Sequence, residues 1–154
     1  MRRTDRQVKA WTELVDILHR ADTIRLGLHD EPYPYVVPLS FGLEDDAGRL
    51  ALYIHGAKEG RKHTLLARNN HVCVEAGIFH RYAETPMGGL TTVYESVIGF
   101  GTAEIVEGDD AVRGLDLICA HCGYEGHVYD KSALAHVRVY KITLESLTGK
   151  RRVV

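Results

Sequence analysis

Short runs of alternating apolar and polar positions dominate the first half of the chain, which is the pattern of β-strands that bury one face. Residues 23–29 alternate strictly, and residues 49–55 repeat the alternation after an acidic turn. In the second run the leucines and the isoleucine share one face, so His55 faces the other way. We therefore predict two half-buried strands and place His55 outside the core.

Proline and glycine modify two other β-rich runs. Residues 33–41 carry Pro34 and Pro38, and proline lacks the N–H that a ladder needs, so this strand is expected to be irregular or to lie at an edge. Gly99 and Gly101 predict a sharp bend inside a longer run. Six strands are predicted in all, over residues 23–29, 33–41, 49–55, 72–79, 91–106 and 136–144.

Three segments have helical periodicity instead. The first begins at Thr4 or Asp5, either of which can cap a helix, and its apolar stripe runs from Val8 to Leu18. The others cover residues 61–68 and about 109–122, and a short basic tail follows residue 147. Hairpin strands with helices between them predict a mainly β, α+β fold, built as an antiparallel barrel with flanking helices.

Composition narrows the function classes. At 154 residues and 45% hydrophobic content the chain fits a single domain over residues 1–154. Its formal charge of -2 offers no general attraction to nucleic acid or to an anionic membrane. The polar N-terminus and the lack of about 20 consecutive apolar residues predict a cytoplasmic protein. Three cysteines do not suggest a disulfide framework.

A C-x-x-C pair, Cys119 and Cys122, lies near His127 and has the spacing of zinc or redox sites. A closed zinc site needs four ligands, and the chain has no second cysteine pair. We therefore predict no metal site and interpret the pair as cysteines buried by a helix.

The most distinctive chemistry is a group of cations around the start of the second predicted helix. Lys58, Arg61, Lys62 and Arg68 are accompanied by Glu59 alone. Cations near a helix N-terminus oppose the helix dipole unless an anion binds there, so the group indicates a phosphate site. A solvated helix face with ordinary basic residues is the alternative that the pattern leaves open.

Five segments in chain order resemble the FMN-binding split-barrel family, the pyridoxamine 5'-phosphate oxidase-like superfamily, and within it the nitroimidazole-resistance-type branch. The matching segments are residues 31–42 (EPYPYVVPLSFG), 52–62 (LYIHGAKEGRK), 70–75 (NHVCVE), 94–101 (YESVIGFG) and 147–150 (LTGK). The resemblance implies a six-stranded antiparallel Greek-key split barrel. It also implies a homodimer with FMN bound at the interface between subunits.

The resemblance further implies roles for particular residues. His55 would lie beside the flavin or the substrate and is the one candidate catalytic residue. Tyr94 and Ser96 would reach the flavin from the second subunit. The expected phosphate group is contacted by Lys58, Gly60, Arg61 and Lys62, and the expected isoalloxazine edge by the strand residues Val37, Pro38, Leu39 and Ser40.

These implications predict an FMN-dependent reductase that acts on a small electron-poor substrate, such as a nitro compound, with NAD(P)H as electron donor. The oxidase proper carries two cations in its second strand, whereas residues 35–40 (YVVPLS) carry none, so vitamin B6 oxidation is not expected. The alternative is a non-catalytic protein that binds or senses a flavin or a haem, with His55 or His29 as the haem ligand.

Overall fold

The computed structural model describes the backbone of residues 3–153 and, apart from positions 131 and 133, their side chains. These residues form eight strands and three α-helices, with short 3-10 turns at Thr4–Arg6 and Lys131–Ala135. The helices are α1 (Trp11–Arg20), α2 (Arg61–Arg68) and α3 (Gly108–His121). The strands are β1 (Gln7–Val8), β2 (Ile24–Leu28), β3 (Tyr35–Leu39), β4 (Gly42–Asp46), β5 (Arg49–Ala57), β6 (His71–Glu84), β7 (Leu90–Val106) and β8 (Val137–Arg152).

All strand pairs are antiparallel, in the order β3-β2-β6-β7-β8-β5-β4, and β1 pairs with the distal part of β8. The sheet curls around one core but β3 and β4 do not pair, so the barrel is split. The predicted α+β split barrel is confirmed, with eight strands rather than six. The chain leaves β3 at Ser40 and begins a separate strand at Gly42, and β1 is the other addition.

The predicted start of the first helix is wrong. Thr4 lies in a 3-10 turn, Val8 belongs to β1, and α1 begins at Trp11 after Ala10, without a side-chain cap. The extended backbone at Gln7 and Val8 pairs with Lys150 and Gly149, and this sheet pairing overrides the helical periodicity. From Leu14 onward α1 packs its apolar stripe on the barrel core.

Both faces of β5 are buried within the chain. Leu50, Leu52 and Ile54 enter the barrel core, while Ala51 and Tyr53 pack under α3. Tyr53 is only 2% exposed. Tyr53 therefore needs no cover from a second subunit, because α3 covers it.

The ladder between β7 and β8 is irregular at the place where the bend is predicted. Its register shifts between Phe100 and Gly101, beside Leu144 and Ser146 of β8, as a β-bulge does. Residues 148–152 are not a tail, since they continue β8 and pair with β7. No helix among residues 3–153 is long and apolar enough to cross a membrane.

Candidate functional site

Gly60, three residues after the end of β5, is the N-cap residue of α2, which begins at Arg61. Gly60 has φ +124°, a conformation that side chains rarely permit, and its carbonyl accepts hydrogen bonds from the amides of His63 (3.1 Å) and Thr64 (3.2 Å). The amides of Arg61 and Lys62 have no intrahelical acceptor, and the first turn holds no acidic residue. The helix start therefore offers N–H groups and two cations to an anion.

Lys62 bends back over the end of β5. Its Nζ donates a hydrogen bond to the His55 carbonyl at 3.0 Å. The same Nζ lies only 2.7 Å from the position that a Cβ on Gly56 would take, so any larger residue there would displace it. Burial lowers the pKa of Lys62. Among residues 3–153 no carboxylate lies within ion-pair distance of this ammonium, so a half-desolvated cation has only a neutral partner.

The close approach at Gly56 predicts a specific defect. Gly56→Ala places a methyl group 2.7 Å from the Lys62 ammonium, which is the end of a flexible side chain and moves without a backbone shift. We expect FMN affinity to fall about 3- to 10-fold, which is less than the loss of a whole charged hydrogen bond because the ammonium is displaced and not removed, while the melting temperature stays close to wild type. Titration of FMN followed by flavin fluorescence measures this.

Gly89→Ala is the matched control, because a Cβ there meets only the Thr85 hydroxyl at 3.3 Å in the distant β6–β7 hairpin. Equal loss of FMN affinity in both variants would contradict the assigned role of Gly56.

Arg61 is held by a carboxylate from the β2–β3 turn. Its Nε and Nη2 donate to one Asp30 oxygen at 3.0 and 2.5 Å, and its guanidinium lies 5.0 Å from the centre of the Tyr35 ring. The Arg61 hydrogen bond lowers the pKa of Asp30. These contacts join the start of α2 to the start of β3, so the cation group and the β3 strand lie in one region.

His55 is exposed, as its strand parity predicts. Partial removal from water and the Lys62 charge lower its pKa, which favours a neutral ring near pH 7. In the antiparallel ladder of β5 and β8, His55 lies opposite Val139. A neutral, exposed imidazole beside the cation group can donate and accept hydrogen bonds to a bound molecule.

The predicted isoalloxazine contacts belong to an edge strand. Val37 and Leu39 are half-buried against the core, and Pro38 points outward opposite Arg25. β3 pairs only with β2, so its other backbone edge has no ladder partner among the described strands, and Ser40 directly follows. This edge placement agrees with the two prolines of the segment, and the flavin contact itself stays a prediction.

Other predicted site residues lie elsewhere in the chain. Lys58 borders a 460 Å³ cavity between the starts of α3 and β8. Tyr94 and Ser96 pair with Arg152 and Lys150, more than ten residues along β8 from the Val139 position that faces His55. At about 3.3 Å per residue that separation reaches roughly 40 Å along the strand. One chain therefore does not bring Tyr94 or Ser96 to its own His55.

The prediction that a helix buries both cysteines of the C-x-x-C pair is wrong. Cys119 is half-buried in the last turn of α3, and Cys122 is exposed just beyond it. Burial, followed by the charge of Asp116, raises the pKa of Cys119. No set of three metal-ligating side chains was found among the residues that the structure describes.

Two functional candidates were not singled out from the sequence. His63 follows Lys62 and is buried, and its Nδ1 lies 2.9 Å from the Tyr140 hydroxyl of β8. Asp30 lies in the turn between β2 and β3. Both depend on contacts between distant segments, and the only local signal for His63 was its place directly after the matched segment 52–62.

Nearly the whole chain matches the sequence model of a known family. The profile of the pyridoxamine 5'-phosphate oxidase family, Pyridox_ox_2, matches residues 10–151. The chain belongs to this family. A comparison with curated protein sequences gave no match.

Solved structures extend the family assignment. The chain is similar to a candidate 5-nitroimidazole antibiotic resistance protein from Bacteroides thetaiotaomicron, with 31% identity, a TM-score of 0.83, and coverage of 94% of this chain and 85% of that one. The flavocytochrome Anf3 from Azotobacter vinelandii has 17% identity, a TM-score of 0.82, and coverage of 100% and 72%.

An FAD and haem binding protein from Mycobacterium smegmatis has 21% identity, a TM-score of 0.75, and coverage of 97% and 74%. At these lower identities the last two similarities support the split-barrel fold alone.

Proposed function

We propose that this member of the pyridoxamine 5'-phosphate oxidase family is an FMN-dependent reductase of a small electron-poor substrate, with NAD(P)H as electron donor. The observation that carries the proposal is the Lys62 ammonium, which lacks a carboxylate partner among the described residues and sits at an acid-free helix start. The similarity to a candidate 5-nitroimidazole resistance protein supports a nitro compound as the substrate class.

The residues present fit a flavin phosphate. The first-turn amides of α2 and the Lys62 ammonium, which reaches over Gly56 because that residue has no side chain, are donors suited to one tetrahedral anion. A phosphate would also compensate the desolvation that lowers the pKa of Lys62. Arg61 would share its guanidinium between the phosphate and Asp30, whose bond to it already fixes its direction.

Bound FMN would supply the hydride chemistry, and the protein would supply binding and orientation. The backbone edge of Val37, Pro38, Leu39 and Ser40 would fix the plane of the isoalloxazine. Neutral His55 would hold a hydrogen bond to the flavin or to the substrate. The single domain over residues 1–154 would thus carry one half of each site.

The second half would come from a homodimer. Apolar side chains of β3, β6 and β7 are exposed on the outer face of the sheet, with Val36 57%, Phe79 60% and Phe100 56% exposed. An apolar face of this kind marks an interaction surface. A second copy there would also supply Tyr94 and Ser96, which lie far from His55 in their own chain.

A direct experiment tests this function. The purified protein is examined by visible spectroscopy and light scattering, titrated with FMN, then reduced with NADH or NADPH and mixed with a nitroimidazole. We expect flavin absorption, a dimer mass, reduction by the nicotinamide and reoxidation by the nitro compound. Absence of FMN binding would refute the function, and a monomer mass at micromolar concentration would refute the shared site.

A second candidate function is ligand binding without turnover, including haem binding. The supporting observation is the exposed ring of His29, which borders a 580 Å³ cavity together with Val36, Cys73 and Phe100. A Soret band after haem addition, lost in His29→Ala, would favour this candidate. Flavin turnover in the preceding experiment would exclude it as the main activity.

A further inference from the structure

His63 is a buried polar side chain directly behind the cation group. It is 6% exposed, and among the described residues Glu95, in another part of the barrel, is the one other buried polar residue. Its Nδ1 lies 2.9 Å from the hydroxyl of Tyr140, and the two rings stack at 5.5 Å with an interplanar angle of 17°. Tyr140 is 3% exposed, so water does not replace this contact.

The second ring nitrogen of His63 faces the end of β5. Its Nε2 lies 3.7 Å from the position of a Cβ on Gly56, and therefore beside the backbone over which the Lys62 ammonium lies. Burial, the Lys62 charge and the Arg138 charge lower the pKa of His63, against an opposing interaction with the Ala57 backbone. The direction of the bond between Nδ1 and the Tyr140 hydroxyl depends on the tautomer of the neutral ring, and in either tautomer Nε2 lies beside β5.

The pair connects three segments of the fold. His63 belongs to the first turn of α2, Tyr140 to β8, and the Gly56 backbone to β5. The segment between β5 and α2, residues 58–60, is exposed. Because His63 follows Lys62 in the chain, its position determines where the Lys62 ammonium lies relative to the His55 carbonyl.

We propose that the His63–Tyr140 pair positions the phosphate-binding segment and thereby determines the preference for a phosphorylated flavin over an unphosphorylated one. This inference rests on the proposed FMN function. Neither residue is among those proposed to contact the phosphate or the isoalloxazine edge, so the pair is assigned a positioning role. Its effect must therefore depend on the phosphate group and not on the flavin ring.

The test compares affinities for FMN and riboflavin, which differ only in the phosphate. Tyr140→Phe removes the hydroxyl but keeps the ring stack, and leaves His63 Nδ1 without its hydrogen-bond partner. We expect FMN to bind about 3- to 10-fold more weakly, with riboflavin changed less than about twofold. The ³¹P resonance of bound FMN is expected to shift in the same variant, which a general loss of packing would not require.

Tyr129→Phe is the matched control, because that hydroxyl bonds Asp116 at 3.1 Å on α3, away from the cation group. It is expected to leave both affinities unchanged while affecting thermal stability to a similar degree. Equal weakening of FMN and riboflavin in Tyr140→Phe, or no change in either, would overturn the positioning role. A wild-type protein that binds neither flavin would refute the proposed function first, and the inference with it.

Discussion

Lys62→Ala is expected to weaken FMN binding by about 1.5 to 3 kcal/mol, the usual loss for a hydrogen bond to a charged group. The physical reason is that the Lys62 ammonium is partly desolvated and its one hydrogen-bond acceptor is the neutral His55 carbonyl. A phosphate would restore the interaction that the protein itself does not supply. Titration of FMN by fluorescence or calorimetry measures the change directly.

Two controls separate this effect from a general loss of charge. Lys9→Ala removes an exposed lysine between β1 and α1 and is expected to leave FMN affinity unchanged. Riboflavin, which has no phosphate, is expected to bind Lys62→Ala and wild type alike. If FMN affinity were unaffected by Lys62→Ala, Lys62 would not contact the phosphate, and Arg61 with the α2 amides would have to bind it.

Glu95→Gln is expected to lower the free energy of unfolding by about 2 to 3 kcal/mol, measured by urea denaturation. The Glu95 carboxylate has only 7% of its side chain exposed. It accepts hydrogen bonds from Arg20 at 2.6 Å, from Arg151, and from His80 at 3.1 Å, and so joins α1, β8 and β6. The neutral amide would leave two guanidinium groups with weaker partners.

Glu13→Gln provides the matched comparison. Glu13 also bonds Arg151, at 2.6 Å, but 47% of its side chain is exposed. Water and salt screen such a pair, so the expected cost is below about 1 kcal/mol. Equal costs for the two substitutions would show that burial of Glu95 does not set its contribution.

Protonation of the Glu95 carboxylate is expected to cause part of the loss of folding stability in acid. Hydrogen bonds, first from Arg20 and then from Arg151 and His80, lower the pKa of Glu95 from 4.5 to about 2. A carboxyl whose pKa is lower in the folded state contributes stability that is complete above its unfolded pKa and is lost as the pH falls through the folded one. Wild type should therefore lose up to about 3 kcal/mol between pH 4.5 and 2. Glu95→Gln should lack this part of the pH dependence.

Local patterns predicted most of the elements of the barrel. The limits of α2 match the periodic segment 61–68, and the bulge at Gly101 falls where glycines interrupt a strand. The predicted start of the first helix was wrong because Gln7 and Val8 pair with a strand more than 140 residues away in the chain. A periodic apolar pattern shows which residues are buried, but it does not show which distant segment buries them.

Some features of the candidate site could likewise be predicted from the sequence, and others depend on the folded chain. Chain spacing alone places Lys58, Arg61 and Lys62 around a predicted helix start, with Glu59 as the one acidic residue beside them. The position of Lys62 over Gly56 and the bond of Arg61 to Asp30 arise only when the chain folds. Desolvation and hydrogen-bond partners depend on segments that folding brings together, and these determine which cation is left to bind an anion.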